Sequence, residues 1–317
     1  VITLRTMRLQ QLQLLLVLAQ TGSLRASAEM LHVSQPALTK SLRQLEDEFG
    51  TTLVLRTAKG VRLAPAGEML AARAATVMRE LGRAREEIAW HTEHAQASVT
   101  VGLSPGGAIL LGPGALARFR ARWPQVRIRL VDTLYPRMFA QLRAGELDLA
   151  IGPLPVEGAR RDLAIHPIFT SRNLIAARRG HPLADRTRLA DLVQAAWVLT
   201  GPAGGPGDPR RMDFESRGLP APDVRLECES FSTLLAILPD LDILGVVPEG
   251  FFQRHGPAMN LVALPIADDL PATTIHLVAR ADAPLTVPAQ RLYEAFEQEA
   301  RGLRADVQPA RARRRRA

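Results

Sequence analysis

The chain has 317 residues, 47% hydrophobic and 23% charged, which is the composition of a folded protein of two or three domains. No stretch approaches the ~20 consecutive apolar residues of a membrane-spanning helix, and the single cysteine, Cys228, excludes a disulfide framework or a cysteine-based zinc site. The net charge of +8 is concentrated at the ends, because residues 1–92 hold 12 Lys and Arg against 8 Asp and Glu, and residues 301–317 hold 7 against 1; such ends suit an acidic polymer such as DNA.

Three short amphipathic helices are predicted at the start of the chain. Apolar residues recur at helical spacing from Leu9 to Ala19. Ser23 is placed to cap a second short helix, and Ser34 to cap a third that runs from about residue 35 to 49. The second and third helices are separated by a tight turn of about four residues.

The third helix has one apolar face and one polar face. Its predicted buried stripe is Leu38, Leu42, Leu45 and Phe49. The polar face carries side chains that can contact base edges and phosphates, namely Gln35, Thr39, Lys40, Arg43 and Gln44. The pattern predicts a helix-turn-helix whose second helix enters the major groove of DNA. It also fits a helical hairpin with a solvated polar face.

A small β-hairpin is predicted next, with strands at 51–56 and 61–63 joined by a turn at Lys59 and Gly60. Its cations, Arg56, Lys59 and Arg62, lie at or near the tip. We interpret the hairpin as a wing that grips the DNA backbone or minor groove. The alternative is a structural hairpin with solvated cations.

A long helix is predicted from Pro65 to about Trp90. Its apolar residues step by four and three over nearly three heptads, and they are Leu70, Ala74, Val77, Leu81, Ala84 and Ile88. This seam predicts a helix contact between two chains that sets the spacing of two winged heads. The alternative is one amphipathic helix packed on its own domain.

From residue 97, short apolar strands alternate with helices, which predicts parallel sheets covered by helices. The predicted strands are 99–103, 126–131, 147–151, 174–177, 197–199, 224–228, 243–247 and 275–279. Helices are predicted between Ser104 and Trp123, over 137–144 and over 287–301, and the last strand and helix are expected to return to the first of two lobes.

Hydroxyl side chains at four predicted strand ends are candidates for a ligand site, because ligands of open α/β sheets bind beyond the carboxyl ends of strands. They are Ser104, Thr133, Thr200 and Ser230, and the adjoining candidates are Pro105, Gly106, Gly201 and Phe231. Ser104 opens a helix whose free N–H groups attract anions, so we expect a small organic anion such as a sulfonate or carboxylate. Ordinary helix capping is the alternative for each residue. The Gly-rich stretch 201–207 is expected to be a flexible loop near this cleft.

Residues 23–39, SLRASAEMLHVSQPALT, resemble the DNA-binding motif of LysR-type transcriptional regulators. The core A-x-x-L-x-x-S-Q-P-A-L is far more selective than a generic helix-turn-helix pattern, and LAPAG at 63–67 and GELDLAI at 145–151 extend the resemblance. It implies that Ser34, Gln35, Pro36, Ala37 and Thr39 open the recognition helix. Segments 103–105, 132–136 and 227–231 look closest to the regulators of p-toluenesulfonate degradation and the galactose-binding-protein regulators.

The resemblance covers residues from about 7 to 301 and implies a fold class. We expect an α/β effector domain of two Rossmann-like lobes, like a periplasmic binding protein, preceded by a mainly-α winged helix-turn-helix domain and a long linker helix. The expected domains are 7–64, with the helix-turn-helix at about 24–43; the linker 65–92; the effector domain 97–303; and a basic, disordered tail 304–317. Lobe I is expected at 97–168 and 269–303, and lobe II at 169–268.

The sequence thus predicts a cytoplasmic bacterial transcription regulator that binds promoter DNA as a homodimer or homotetramer and responds to a small organic effector. RNA polymerase is a further candidate partner. A transport component is disfavoured because the N-terminus lacks a signal-peptide pattern. An enzyme is disfavoured because no GxSxG, HExxH or Walker motif and no acid–base constellation is present, and no cofactor is expected. We assign no metal to His91 and His94 and no redox role to Cys228.

Overall fold

The computed structural model describes residues 7–57, 60–91, 97–154 and 161–314. The chain folds into two compact units, Val1–Ala95 with Ala144–Glu146, and Gln96–Arg143 with Leu147–Ala317. Lys59 and His94, both singled out in the sequence, lie outside the described residues.

Three helices open the first unit, and serines and glycines set their limits. They are α1 (Leu9–Thr21), α2 (Leu24–Met30) and α3 (Gln35–Phe49). The hydroxyls of Ser23 and Ser34 accept backbone N–H groups three residues ahead, as predicted for N-caps. Gly22 and Gly50 end α1 and α3 in the left-handed conformation that glycine adopts without strain.

The three helices pack around an apolar core that orients α3. Its buried members include Leu14, Leu15, Leu18, Ala28, Leu38, Leu42, Leu45 and Leu53. The buried stripe predicted for α3 is confirmed at three positions and is wrong at Phe49, which is 44% exposed. Phe49 is the last residue of α3, where the helix has passed the end of the core. Because the leucine stripe faces the core, the opposite polar face of α3 points to solvent.

An antiparallel hairpin follows α3. Its strands are β1 (Val54–Thr57) and β2 (Gly60–Leu63). The first strand begins three residues later than predicted, and at its start the Glu46 carboxylate accepts the N–H groups of Leu53 (2.8 Å) and Val54 (3.2 Å). This contact ties the hairpin to α3.

The long helix α4 (Pro65–His91) has two parts. In the first turns, Ala71 and Ala74 are buried and Leu70 is half-buried against the core of the same unit. The later seam residues are exposed in this single chain, and they are Val77, Leu81, Ala84 and Ile88.

Short strands and helices alternate along the second unit. In chain order they are β3 (Ser98–Leu103), α5 (Pro105–Leu110), α6 (Gly112–Arg122), β4 (Arg127–Asp132), α7 (Arg137–Ala144), β5 (Leu149–Pro153), β6 (Leu163–Ser171), β7 (Asn173–Arg178), β8 (Ala196–Thr200), β9 (Asp223–Cys228), α8 (Phe231–Ile237), β10 (Gly245–Pro248), α9 (Glu249–His255), β11 (Leu261–Ala263), β12 (Thr273–Arg280) and α10 (Val287–Arg314). Short 3-10 helices occupy Leu189–Leu192, Pro209–Arg211, Glu215–Arg217 and Pro257–Met259. The single helix predicted after Ser104 is two helices, because Pro113 has no N–H group and starts a new helix at its first turn.

Lobe I is built on a five-stranded sheet of order β4-β3-β5-β12-β6. β3 pairs in parallel with β4 and β5, whereas β12 is antiparallel to both β5 and β6. The prediction of a wholly parallel sheet is therefore wrong, because β12 returns directly from the other lobe and not through a helical crossover. β6 stays in this sheet to Ser171, beyond the expected lobe boundary at 168.

Lobe II holds β7 between β10 and β11, all antiparallel, and a parallel pair of β8 and β9. Its core includes Trp197, which is fully buried and contacts Phe214 edge to face at 5.8 Å between ring centroids. As predicted, the last strand and helix belong to lobe I, where β12 pairs with β5 and α10 packs on α6.

The chain passes between the lobes twice, and the two crossings are joined by one side chain. Arg172 lies between β6 and β7, and Pro271 precedes β12. The amide nitrogen Nδ2 of Asn173 donates to the carbonyl of Pro271 (3.1 Å) and to the hydroxyl of Thr273 (2.9 Å). This side chain therefore links the start of β7 to the start of β12, the two strands that follow the crossings.

The last helix differs from its predicted end. α10 continues to Arg314, whereas the sequence places its end near Arg301 and treats 304–317 as disordered. Alanine and arginine, which recur after residue 300, both favour helix. None of the helices in the described ranges is long and apolar enough to cross a membrane.

Candidate functional site

The N-terminal half of α3 presents the predicted polar face to solvent. Seven of the predicted residues on it are exposed, namely Ser34, Gln35, Pro36, Ala37, Lys40, Arg43 and Gln44, and Thr39 is half-buried. The Thr39 hydroxyl donates to the Gln35 carbonyl at 3.0 Å, which fixes its rotamer. In the described part of the chain Lys40 and Arg43 have no ion-pair partner, so both charges are available to a ligand.

The connection before α3 is the tight turn expected of a helix-turn-helix. Its four residues, Leu31–Ser34, join α2 to α3. His32 takes a left-handed conformation with φ of 54°, and the N–H group of Val33 donates to the Ala28 carbonyl at 3.0 Å. The turn and the shared core hold α3 as a projecting second helix, the arrangement that places a recognition helix in a major groove.

The hairpin carries Arg56 and Arg62, both exposed. The register sets Arg56 opposite Val61 and Leu55 opposite Arg62. Because directly opposed residues of an antiparallel pair share a face and neighbours alternate, the two arginines lie on opposite faces of the hairpin. The third predicted wing cation, Lys59, lies outside the described residues.

The exposed seam of α4 is an apolar surface without a cover in the single chain. Ile88 is 67% exposed, Val77 42% and Leu81 37%. Exposed apolar residues at heptad spacing are typical of a helix that buries them against another helix.

A cleft lies between the two lobes of the second unit. Its polar lining residues are Ser104, Ser171, Asn173, Thr200, Thr273 and Glu229. Its other walls are apolar or glycine and include Leu110, Leu134, Phe231, Val246 and Ile275. Its volume is about 60 Å³. On a scale where one water needs roughly 10–15 Å³, the cleft has room for about four to six waters or one small organic molecule.

The structure brings five of the eight predicted ligand residues together at this cleft. These are Ser104, Pro105, Gly106, Thr200 and Phe231. Ser104 is 1% exposed, and its hydroxyl accepts the Gly107 N–H at 3.1 Å, so it does cap α5 as well.

The other three predicted residues lie outside the cleft lining, each for a local reason. The Thr133 hydroxyl donates to the side-chain oxygen of Gln141 at 2.8 Å, which turns it towards α7. The Ser230 hydroxyl pairs with that of Ser232 at 2.6 Å. Gly201 donates its N–H to the Cys228 carbonyl at 2.8 Å and so continues the backbone pairing of β8.

The sequence reasoning misses several lining residues, and two of them begin strands. Asn173 and Thr273 are the first residues of β7 and β12, and Ser171 is the last of β6. The rule that ligands bind beyond the carboxyl ends of strands does not select Asn173 and Thr273, because both lie at the amino ends of their strands. Only the two crossings between lobes, which the sequence does not mark, bring them to the cleft.

The Gly-rich loop beside the cleft is held by hydrogen bonds at Gly204 and Gly207, and its predicted flexibility stays a prediction. Asp208 is 2% exposed and accepts the N–H of Gly204 (2.7 Å) and the guanidinium of Arg210 (2.8 Å). Burial alone would raise the pKa of Asp208, but these hydrogen bonds outweigh it and hold the pKa below its usual value. Thr200 donates its N–H to the Gly207 carbonyl at 3.1 Å, so the loop keeps Gly207 against the cleft.

No group of three or more His, Cys, Asp or Glu that could hold a metal occurs among the described residues. Cys228 is a half-buried free thiol, and its Sγ lies 3.7 Å from the Thr200 hydroxyl oxygen.

Two protein-family models match this chain. Residues 9–68 match the bacterial regulatory helix-turn-helix protein, lysR family, and residues 92–301 match the LysR substrate binding domain. The regulator PcaQ of Agrobacterium fabrum is 28% identical over 92% of this chain and 95% of its own length. The regulator TdcA of Escherichia coli K12 is 26% identical over 80% of each chain.

Solved structures of full-length proteins share the fold. OxyR from Pseudomonas aeruginosa, in a single-residue variant, superposes with a TM-score of 0.63 at 25% identity and covers 94% of this chain and 95% of its own. Full-length CbnR complexed with its target DNA gives a TM-score of 0.68 at 20% identity and covers 92% of this chain and 100% of its own.

Proposed function

The chain belongs to the LysR family of bacterial transcriptional regulators, and from this premise we propose that α3 and the hairpin bind promoter DNA while a small organic molecule in the lobe cleft modulates that binding. The family consists of regulators and not of enzymes. The observation that carries the proposal is the solvent-facing polar half of α3, whose cations have no ion-pair partner among the described residues.

The proposed DNA contacts divide by chemistry. Gln35, Arg43 and Gln44 can pair with purine edges, whereas Thr39 and Lys40 suit phosphates. Ser34, Pro36 and Ala37 shape the exposed start of α3. Arg56, Lys59 and Arg62 supply the wing contacts. CbnR, which shares this fold, was solved with its target DNA, which supports the same use of the domain here.

The proposed assembly is a homodimer or homotetramer joined through α4. The seam residues Leu70, Ala74, Val77, Leu81, Ala84 and Ile88 form its contact, with the last four exposed in the single chain. Two heads related by a twofold axis read a roughly palindromic site. A cytoplasmic location and a contact with RNA polymerase remain predictions from the family resemblance.

The proposal also concerns the chemical class of the effector that binds in the cleft. The sequence favours a small organic acid on the basis of the helix that begins after Ser104, and the sulfonate-like subgroup remains a prediction. The described residues that line the cleft contain no Lys, Arg or His, so an acid would be held there by hydroxyl groups such as those of Ser104, Thr200 and Thr273.

Selection of genomic DNA tests the proposed function. The purified full chain is incubated with sheared genomic DNA of its source bacterium, and the bound fragments are sequenced. We expect enrichment of short, roughly palindromic sites upstream of genes, and loss of that enrichment in Arg43→Ala but not in Arg186→Ala, an exposed arginine of lobe II. Uniform recovery of all fragments, or none, would contradict the proposal.

A further inference from the structure

We propose that Gly60 and Glu46 are positioning residues of the DNA-binding surface, because together they hold Arg56 of the hairpin at a fixed place relative to α3. The inference rests on the proposed function, since it concerns how the same surface is assembled. Both residues act through Arg56 and not by touching DNA.

The start of β2 is docked on the end of α1 by a direct backbone contact. The N–H group of Val61 donates to the Gly22 carbonyl at 2.8 Å. A Cβ atom at Gly60 would overlap the same carbonyl oxygen, and Gly60 has a φ of 131°, where an L side chain is strained. Glycine at position 60 therefore lets the two backbones touch, and alanine there would push β2 away from α1.

The position of β2 is passed directly to Arg56. In the antiparallel ladder Val61 lies opposite Arg56, and Gly60 lies opposite Thr57. The Thr57 hydroxyl also donates to the Gly60 carbonyl at 3.2 Å. Because paired strands share a hydrogen-bond ladder, a displacement of β2 at Gly60 carries the exposed Arg56 with it.

The start of β1 is held from the other side by α3. The Oε1 atom of Glu46 accepts both the N–H group of Leu53 (2.8 Å) and that of Val54 (3.2 Å), two residues before Arg56. Glu46 belongs to the same helix as Arg43, the proposed base contact. The fold therefore sets the distance between Arg43 and Arg56, and hence between a base contact and a backbone contact, before DNA binds.

Salt titration of DNA binding tests the inference. The full-length protein and its variants are titrated with a duplex enriched in the genomic selection, and the slope of log K against log salt reports the number of phosphate contacts. We expect Gly60→Ala to lower this slope by about 1, as Arg56→Ala does. The double variant should also lower it by about 1 and not by about 2, because both changes remove the same contact.

Gly50→Ala is the matched control for backbone strain. Gly50 also has a positive φ, of 63°, but a Cβ atom there would meet no atom of the described chain within 4 Å beyond its immediate neighbours. Gly50→Ala should therefore lose stability and keep the salt slope of the parent.

A second pair of variants keeps the test decisive if Gly60→Ala does not fold. Glu46→Ala removes the acceptor of both N–H groups, whereas Glu46→Gln keeps an oxygen that can accept them. We expect Glu46→Ala to lower the slope by about 1 and Glu46→Gln to restore it. A purely structural role would lower the fraction of folded protein, seen by thermal unfolding, and leave the slope unchanged.

Three results would overturn the inference. They are slopes like that of the parent for Gly60→Ala and Glu46→Ala, a full further loss when Arg56→Ala is added to either, and an unchanged slope for Arg56→Ala itself. DNA selection by the parent separates these failures from failure of the proposed function. A parent that enriches promoter fragments remains a regulator whose hairpin is positioned in another way or is not used. A parent that enriches no fragments is not the regulator proposed.

Discussion

The side-chain amide of Asn173 donates a hydrogen bond to the hydroxyl of Thr273, with 2.9 Å between Nδ2 and Oγ1. These residues begin the two strands that follow the crossings between the lobes, and both line the cleft. A ligand in the cleft therefore contacts the segments about which the two lobes are joined. An effector acts only through unequal binding to two arrangements, and this hydrogen bond joins the two segments that a change in the lobe arrangement would move.

Replacing Asn173 by leucine tests that relationship. Asn173→Leu removes two buried hydrogen bonds and leaves their acceptors unpaired, so we expect a loss of about 1–3 kcal/mol in the free energy of unfolding. DNA binding without effector should persist, and its change on adding effector should be lost. Denaturant unfolding and DNA titration measure the two effects. Gln253→Ala on the exposed side of α9 is the control. An unchanged response to effector would contradict this role.

Arg43 is expected to contribute to sequence recognition. Arg43→Ala should weaken binding to the selected operator by about 1–3 kcal/mol and leave binding to scrambled DNA nearly unchanged. Fluorescence anisotropy with both duplexes measures the difference. Equal losses on both duplexes would instead make Arg43 a phosphate contact.

The two wing arginines are expected to act unequally because they lie on opposite faces of the hairpin. Arg56→Ala should weaken binding evenly across sequences and lower the slope of log K against log salt by about 1. Arg62→Ala, on the opposite face, should change this slope by a different amount. Salt titrations of both variants provide the comparison, and equal slopes would show that the hairpin register does not decide which cation reaches DNA.

The α4 seam is expected to hold two chains together. Leu81→Glu and Ile88→Glu place a charge at exposed apolar positions, so they should leave the monomer fold intact and shift the assembly to smaller species. Arg73→Glu, at an exposed position of α4 off the seam, is the matched control. Analytical ultracentrifugation gives the masses. An unaltered mass for both seam variants would place the contact elsewhere.

Acid is expected to release the loop held by Asp208. The pKa of Asp208 is lowered in the folded state, so its contribution to stability is present above the unfolded value of about 3.9 and is lost as pH falls through the folded value. Asp208→Asn should therefore lose less stability than the parent between pH 5 and pH 3. Thermal unfolding across this range measures the effect, with Asp185→Asn as the exposed control. If the stability of the parent and that of Asp208→Asn fell equally between pH 5 and pH 3, Asp208 would not be the group whose protonation releases the loop.

The local parts of the fold could be predicted from the sequence, and the non-local parts could not. The bounds of α3 follow from Ser34 and Gly50, which cap it, and from leucines at helical spacing. The mixed sheet of lobe I depends on β12, whose partners β5 and β6 lie more than 100 residues earlier in the chain. The same return brings Thr273 beside Asn173, so this polar part of the cleft carries no signature along the chain.

The ladder of β6 and β12 sets Ser171 directly opposite Thr273. The chain thus leaves the sheet of lobe I and returns to it at neighbouring points. Lobe II is therefore an insertion into lobe I. A two-residue turn is enough to close two adjacent antiparallel strands. Replacing residues 172–272 by Asn-Gly would leave the strand order of lobe I unchanged. Lobe II supplies about half of the residues that line the cleft. Lobe II could therefore be exchanged for another domain without changing the path of the chain through lobe I.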